Sequence, residues 1–297
     1  MVDLTLDDVT AADLRRLVAT VLAEDIGSGD RTAALIPADA HSTATIVTRE
    51  AMVLAGRPWV DALFAELDSA VDLEWAFADG DSVAAGSTLC RLSGPSRALL
   101  SGERAALNLL QTLSATATTA AAYVDAVRGT GCRILDTRKT LPGLRFAQKY
   151  AVRCGGAMNH RVGLFDAVLI KENHILAAGG IGAAIADARG NNPGVLIEIE
   201  VESLEELDEA LEARPDRVLL DNFSVEALAA AVAANQQRPA DERAELEASG
   251  NVSLHDVRDT ADSGVDYISI GALTKHVKAI DLSMRVDASP EAEHSGD

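Results

Sequence analysis

From Cys132 onward the chain alternates short apolar runs with helix-like segments, and that rhythm constrains the fold more than any other feature. The runs are "CRILD" (132–136), "AVLI" (167–170), "VLIEIEV" (195–201), "RVLLD" (217–221), "ELEAS" (245–249) and "DYISIG" (266–271). Between most of them lie "AAGGIGAAIADARG", "SLEELDEALEA", "SVEALAAAVAAN" and "LHDVRDTADSG". Strands alternating with helices describe βα units around a parallel sheet. Six such strands fall short of the eight of a full barrel, so an incomplete or irregular α/β barrel is expected.

The preceding residues read differently. "TAADLRRLVATVLAE" (10–24) repeats apolar residues at helical spacing. "STATIVTREAMVLAG" and "VDLEWAFADGDSVAAGSTLCRLSGP" are strand-like, with glycine-driven turns. The second contains Gly80-Asp81-x-Val83-x-x-Gly86, a carrier-domain pattern, yet the first hundred residues hold no lysine to modify. "SGERAALNLLQTLSATATTAAAYVDAVRG" reads as one or two helices. Together these give an α/β fold: an N-terminal domain over 1–114, a barrel over 115–275, and a C-terminal segment with an acidic tail over 276–297. The first part of that segment is expected to pack on the N-terminal domain.

Charge narrows the function. The 297 residues carry a formal net charge of −20. Such acidity argues against nucleic-acid binding, which needs a basic surface. Two Trp, three Tyr and five Phe offer little for base stacking. No apolar run is long enough to span a membrane. Three scattered cysteines and an acidic, polar N-terminus point to a reducing cytoplasm.

Against that background the stretch "DTRKTLPGLR" (136–145) is anomalous. Arg138, Lys139 and Arg145 crowd there, and Lys149, Arg153, His160, Arg161, Lys171 and His174 follow. A local cationic pocket would let an acidic protein take an anionic small molecule. Catalytic groups in such barrels sit where strands end. Those ends hold Thr137, Arg138 and Lys139; Lys171; Glu200; Asp221; Ser249, Gly250 and Asn251; and Ser269, Ile270 and Gly271. In "IEIEVE" alternation puts Glu198, Glu200 and Glu202 on one face, and carboxylates facing a barrel interior need cations or a metal. Asp221 has a bland alternative, as cap of the helix starting at Ser224. Cations on two strands and carboxylates on two others favour a polyanion–Mg²⁺ site. Glycine-rich strand ends offer backbone N–H groups at helix N-termini for a terminal phosphate.

The run "DTRKTLPGLRFAQKYAVRCGGAMNHRVGLFDAVLIKENHI" resembles the quinolinate phosphoribosyltransferase family. The likeness also takes in "LAEDIGSGDRT", "SGERAALNLLQ", "EVE", "LDNF", "SGN" and "GVDYISIGALT". The resemblance implies an N-terminal α/β sandwich beside the incomplete α/β barrel, in a homodimer that transfers phosphoribosyl from 5-phosphoribosyl-1-pyrophosphate to quinolinate, with loss of carbon dioxide and pyrophosphate, in NAD synthesis. It implies that Arg104, Arg138, His160 and Arg161 bind the quinolinate carboxylates, and that Lys139 and Lys171 serve both substrates. Glu200 and Asp221 stand near the ribose and Mg²⁺, while 249–251 and 269–271 cradle the 5′-phosphate. Arg104 precedes the barrel and is expected to serve the neighbouring subunit's site. Two alternatives stay open: transfer to nicotinate or another pyridine base without decarboxylation, and a Schiff-base lyase or aldolase using Lys139 or Lys171.

Overall fold

The protein is described by a computed structural model over residues 8–287; the acidic tail lies outside the described residues. In chain order the first elements are α1 (Asp8–Ile26), β1 (His41–Thr48), β2 (Met52–Val53), α2 (Arg57–Leu67), β3 (Asp72–Trp75), β4 (Ser82–Val83) and β5 (Thr88–Pro95). Then come α3 (Ser96–Ala126), β6 (Arg133–Leu135), α4 (Arg145–Cys154), β7 (Val168–Ile170), α5 (Glu172–Ala178) and α6 (Ile181–Asn191). The remainder is β8 (Ile197–Val201), α7 (Leu204–Glu212), β9 (Arg217–Asp221), α8 (Val225–Gln236), β10 (Glu245–Ser249), α9 (Val257–Asp262), β11 (Tyr267–Ser269), α10 (Ala272–Lys275) and β12 (Leu282–Asp287). No helix among the described residues is long and apolar enough to cross a membrane.

The described residues form two compact units, the first taking 8–118, 142–155 and 277–287, the second 119–141 and 156–276. The helical segment read as one or two helices is a single 31-residue helix, α3. It runs unbroken through the 114/115 boundary expected from the sequence.

The first unit is built on an antiparallel sheet in the order β12-β1-β5-β3. Strand β1 alternates, with Ala44, Ile46 and Thr48 buried and His41 and Thr43 exposed, as a sheet with one wet face requires. The C-terminal strand β12 pairs with β1 from Thr43↔Asp287 to Thr48↔Leu282. Strands β3 and β5 form the glycine-punctuated hairpin, with β4 looped out to pair with β2. Helix α4 is fixed within this unit. Its Tyr150 hydroxyl donates to Asp79 at 2.8 Å, and Asp79 also accepts the N–H groups of Gly56 and Arg57 at the start of α2.

The second unit holds a six-stranded parallel sheet, ordered β6-β11-β10-β9-β8-β7. Each apolar run read from the sequence supplies one of these strands. Their outward residues, such as Val218, Leu220, Leu246 and Ile268, are buried against the surrounding helices. Strands β6 and β7 end the order without pairing with each other, which is the incompleteness that six strands impose. The inward face is unusual for a barrel, where bulky aliphatic side chains ordinarily fill the layers. Here Arg217, Glu198, Glu245 and Glu247 stand inside it, because the register sets Arg217 beside both Glu198 and Glu245.

Candidate active site

At the carboxyl ends of the parallel strands lies a cleft of about 310 Å³ in one lobe and about 250 Å³ in a second. Thr137, Lys139, Ser249 and Ser269 belong to both lobes, so the two form one cleft. The first lobe gathers Arg138, His160, Arg161, Lys171, Glu200 and Asp221. The second is walled by Gly250, Asn251, Gly271, Lys275 and His276.

The cations of the first lobe are held by identifiable contacts. Beyond β6, the buried Asp136 accepts the N–H of His160 at 2.9 Å and the side-chain amide of Asn159 at 2.7 Å. This ties the end of one strand to the segment that presents Arg161. The Arg161 guanidinium is pushed below its usual range, first by burial and then by the charge of Arg138. Arg138 keeps a buried Nε without a hydrogen-bond partner. Two neighbouring guanidiniums with spare donors suit a planar dianion. Lys171 follows β7, and its Nζ is ion-paired with Glu200 Oε2 of β8. Its backbone N–H donates to His174 Nδ1 at 3.0 Å, which gives His174 a local structural task.

The two glutamates of β8 and Glu202 just beyond it form a depth series. Glu198 is fully buried, Glu200 half-buried at the cleft, and Glu202 exposed. Glu198 Oε2 lies 2.8 Å from His160 Nε2, and Glu247 Oε2 of β10 lies 3.6 Å from it. Arg217 Nη1 approaches Glu247 at 3.4 Å, and Nη2 meets Glu245 at 2.8 Å. Tyr267 sits beside this layer, its ring under both the Arg217 and Arg133 guanidiniums at 4.2 and 4.4 Å. Burial raises the Glu198 carboxyl above its ordinary value, with Arg217 opposing. Burial, then the charge of Glu198, pushes Glu247 up to about 8. One proton on that pair leaves one carboxylate to balance Arg217. His160, Glu198 and Glu247 are close enough to share a metal ion, but Arg217 already provides their counter-charge.

The second lobe depends on backbone geometry. Gly250 (φ 112°) and Asn251 (φ 48°) turn the chain sharply after β10, and Asn222 (φ 58°) turns it after β9. The sequence suggested helix N-termini here. Instead Ser249–Asn251 form a turn, since α9 starts only at Val257. Gly271 does precede a helix, the four-residue α10, and a Cβ there would touch Lys139 Cδ at 3.0 Å. Ile270 stands apart from the cleft: its side chain is buried and its N–H donates to Leu135 O. Asp221 is not the cap of α8. Ser224 fills that role, accepting Ala227 N–H at 3.2 Å, while Asp221 faces the cleft and accepts from Asn222 Nδ2 at 2.7 Å.

Not every cation of the anomalous stretch reaches the cleft. Arg145, Lys149 and Arg153 share one face of α4, in the first unit, with Lys149 buried and Arg153 against the Tyr150 ring. Arg104 is exposed on α3, also in the first unit. Glu247 and Arg217 were not singled out from the sequence. The signal existed: "ELEAS" and "RVLLD" carry the same alternation as "IEIEVE", placing Glu245, Glu247 and Ser249 on one face and Arg217, Leu219 and Asp221 on another. Lys275 and His276, in the second lobe, follow "IGALT" directly.

Comparison with known proteins agrees over most of the chain. Residues 30–114 match the family model for the quinolinate phosphoribosyl transferase N-terminal domain, and 116–285 match that for its C-terminal domain. A probable nicotinate-nucleotide pyrophosphorylase (carboxylating) of Synechocystis is 42% identical over 89% of this chain and 90% of its own. The nicotinate-nucleotide pyrophosphorylase (carboxylating) of Mycobacterium leprae is also 42% identical, covering 91% of this chain and 96% of its own. Among solved structures, the nicotinate-nucleotide pyrophosphorylase from Francisella tularensis has a TM-score of 0.87 and 44% identity, covering 93% of this chain and 96% of that one. With both domain models matched in order and the strand-end cations, carboxylates and glycine turns in one cleft, this chain belongs to the quinolinate phosphoribosyltransferase family.

Proposed function

We propose that this protein transfers phosphoribosyl from 5-phosphoribosyl-1-pyrophosphate to quinolinate and releases carbon dioxide and pyrophosphate, giving nicotinate mononucleotide for NAD synthesis. The observation that carries the reading is the Arg138–Arg161 pair, two guanidiniums forced together in a half-buried lobe with a spare donor. Such a pair is costly without an anion and matches two adjacent carboxylates on a flat ring.

The ring nitrogen of quinolinate attacks C1 of the ribose as the C1–oxygen bond breaks and pyrophosphate leaves with its electron pair. The carboxylate at ring position 2 then departs as carbon dioxide, its bonding pair stabilised beside the cationic nitrogen until a proton replaces it. Lys139 and Lys171 at the cleft offset charge on the leaving group. Glu200, held by Lys171, is placed to steady the ribose as positive charge develops, with Asp221 on the same wall. Hard carboxylate oxygens at an anion-filled cleft suit Mg²⁺, so Glu200 and Asp221 are the residues to hold it, directly or through water. When bound, Mg²⁺ supplies neutralisation of pyrophosphate charge. The second lobe, with Ser249, Gly250, Asn251, Ser269 and Gly271, takes the 5′-phosphate.

The protein works as a homodimer in which Arg104 of each protomer serves the other's cleft, in a cytoplasm that keeps its three buried cysteines reduced. Transfer to nicotinate would leave one guanidinium unmatched. A Schiff-base route through Lys171 needs its amine free to attack a carbonyl, whereas Lys171 Nζ is engaged by Glu200. The test mixes protein, 5-phosphoribosyl-1-pyrophosphate and Mg²⁺ with quinolinate or nicotinate. Nicotinate mononucleotide from quinolinate, with little from nicotinate, is the expected result. Comparable turnover of the two bases sinks the quinolinate assignment.

A further inference from the structure

Once carbon dioxide has left, ring position 2 of the pyridine needs a proton, and the cations that hold quinolinate are poor sources of one. A guanidinium does not give up its proton, which sets aside Arg138 and Arg161. Lys171 is engaged by Glu200. Lys139 stands where the two lobes join and faces the phosphoribosyl donor as well.

Glu247 is a different kind of group. It borders the lobe that gathers Arg138, His160 and Arg161. Its Oε2 lies 3.6 Å from His160 Nε2, on the side of the lobe where the resemblance seats the carboxylates. The side chain is closed to bulk water. Its charge is poorly balanced. Arg217 gives Nε and Nη2 to Glu245, at 3.3 and 2.8 Å, and Nη1 to Glu247 Oε2, at 3.4 Å. Arg133 also meets Glu245, at 3.9 Å. His160 adds no charge, because its Nδ1 accepts the Arg161 N–H at 2.7 Å and so carries no proton.

Glu198 and Glu247 are thus two buried carboxyls with little counter-charge, and such a pair keeps a proton. Glu198 feels the charges of both Arg217 and Arg161, which leaves the proton to Glu247. Burial and the Glu198 charge agree, raising the Glu247 carboxyl to about 8. With Oε2 accepting from Arg217, the proton belongs on Oε1, a buried oxygen with no hydrogen-bond partner among the described residues.

We propose that Glu247 is the proton donor of the decarboxylation. As the bond from ring position 2 to its carboxylate breaks and carbon dioxide leaves, the electron pair left on the ring takes the proton from Glu247 Oε1. The inference rests on the quinolinate reading and names the residue that completes it. Glu247 becomes a carboxylate beside Arg217 and regains its proton from water when the product leaves. A floor closed to water keeps solvent from competing for the same step.

The experiment compares wild type with Glu247→Gln, which keeps the shape and neutrality of the protonated side chain but has no acidic proton. Single turnovers with quinolinate labelled in the carboxyl at ring position 2 follow pyrophosphate and carbon dioxide separately. Pyrophosphate should form at the wild-type rate and quinolinate KM should stay within about twofold. Carbon dioxide should form about a hundredfold more slowly, the lower end of what a positioned acid contributes. In a mixture of H2O and D2O, the hydrogen-to-deuterium ratio at ring position 2 of the product should differ between the two proteins, because the donor has changed. Should Glu247→Gln fail to fold, Glu247→Asp, which keeps the acid and shortens its reach, decides by the same comparison. Equal slowing of both products, or an unchanged isotope ratio, overturns the donor role. So does carbon dioxide release at the wild-type rate in the variant. Wild-type protein that releases no carbon dioxide from quinolinate overturns the functional reading and this inference with it.

Discussion

Gly250 and Asn222 approach so closely that a Cβ on Gly250 would overlap Asn222 Oδ1 and stand 2.8 Å from its backbone nitrogen. Asn222 N in turn donates to Ser249 O at 2.9 Å, so the turns after β9 and β10 are locked together. Gly250 also holds φ at 112°, where side chains are strained. Gly250→Ala should therefore cost about 2 kcal/mol or more and weaken use of the phosphoribosyl donor more than use of quinolinate. Thermal melts and the two KM values check this. An unchanged melt would show that the turn can relax.

Asp221 faces the cleft, and Ser224, not Asp221, caps the following helix. Asp221→Ala should consequently spare stability and reduce the rate by about a hundredfold, the scale for removing one preorganised electrostatic group. Steady-state rates at saturating Mg²⁺, read beside a melting curve, separate the two effects. A near-normal rate removes Asp221 from donor handling.

Glu247 ties stability to pH. Its carboxyl is pushed from an ordinary 4.5 up to about 8 by burial and by the Glu198 charge. Below about 4.5 both folded and unfolded chains hold this proton. As pH rises, the unfolded chain releases it while the folded protein keeps it, so this contribution to stability declines until the folded carboxyl ionises near 8. Glu247→Gln has no proton to lose. The melting temperature of the wild type should therefore fall relative to Glu247→Gln between pH 5 and pH 8. A constant difference across that range would falsify the assignment.

The thiols should be quiet. Burial pushes Cys90 and Cys132 up to about 12 and raises Cys154 as well. At pH 8 about one such thiol in ten thousand is ionised, against roughly one in four for a free cysteine. Iodoacetamide should leave all three unlabelled in the native protein and label all three in denaturant, as mass spectrometry reads directly. Rapid native labelling of any of them means that its pocket opens.

Arg104 offers a test that needs two inactive proteins. Arg104→Ala and Lys139→Ala should each be nearly dead, yet refolded together they should recover about one quarter of wild-type activity. Half the dimers are then mixed, and each mixed dimer has one site with both residues intact. A mixture that exchanges subunits and stays dead confines Arg104 to its own protomer.

The six parallel strands were legible because a sheet covered on both faces must be built from short apolar runs between helices, and each run stands out against its polar neighbours. The cleft residues were legible for a related reason: Lys139, Lys171, Glu200 and Asp221 interrupt or end such runs. Helix α4 was not. In "RFAQKYAVRC" the cations at Arg145, Lys149 and Arg153 recur every fourth residue, a helical face that reads as a cationic loop when only charge is counted. Glu247 was hidden for the opposite reason. A five-residue run such as "ELEAS" states its alternation too briefly to say which face turns inward, and only the register beside Arg217 decides it.

The pairing of β12 with β1 also bears on how the protein is made. Strand β1 is complete once residue 48 has left the ribosome, but its outer neighbour, Leu282–Asp287, emerges more than two hundred residues later. Through most of synthesis that edge of the first sheet has no native partner, and an open strand edge invites pairing with another chain. The first unit to begin folding is therefore among the last to be finished. A nascent chain halted before residue 282 should be recognised by chaperones as incomplete, however well its barrel has formed.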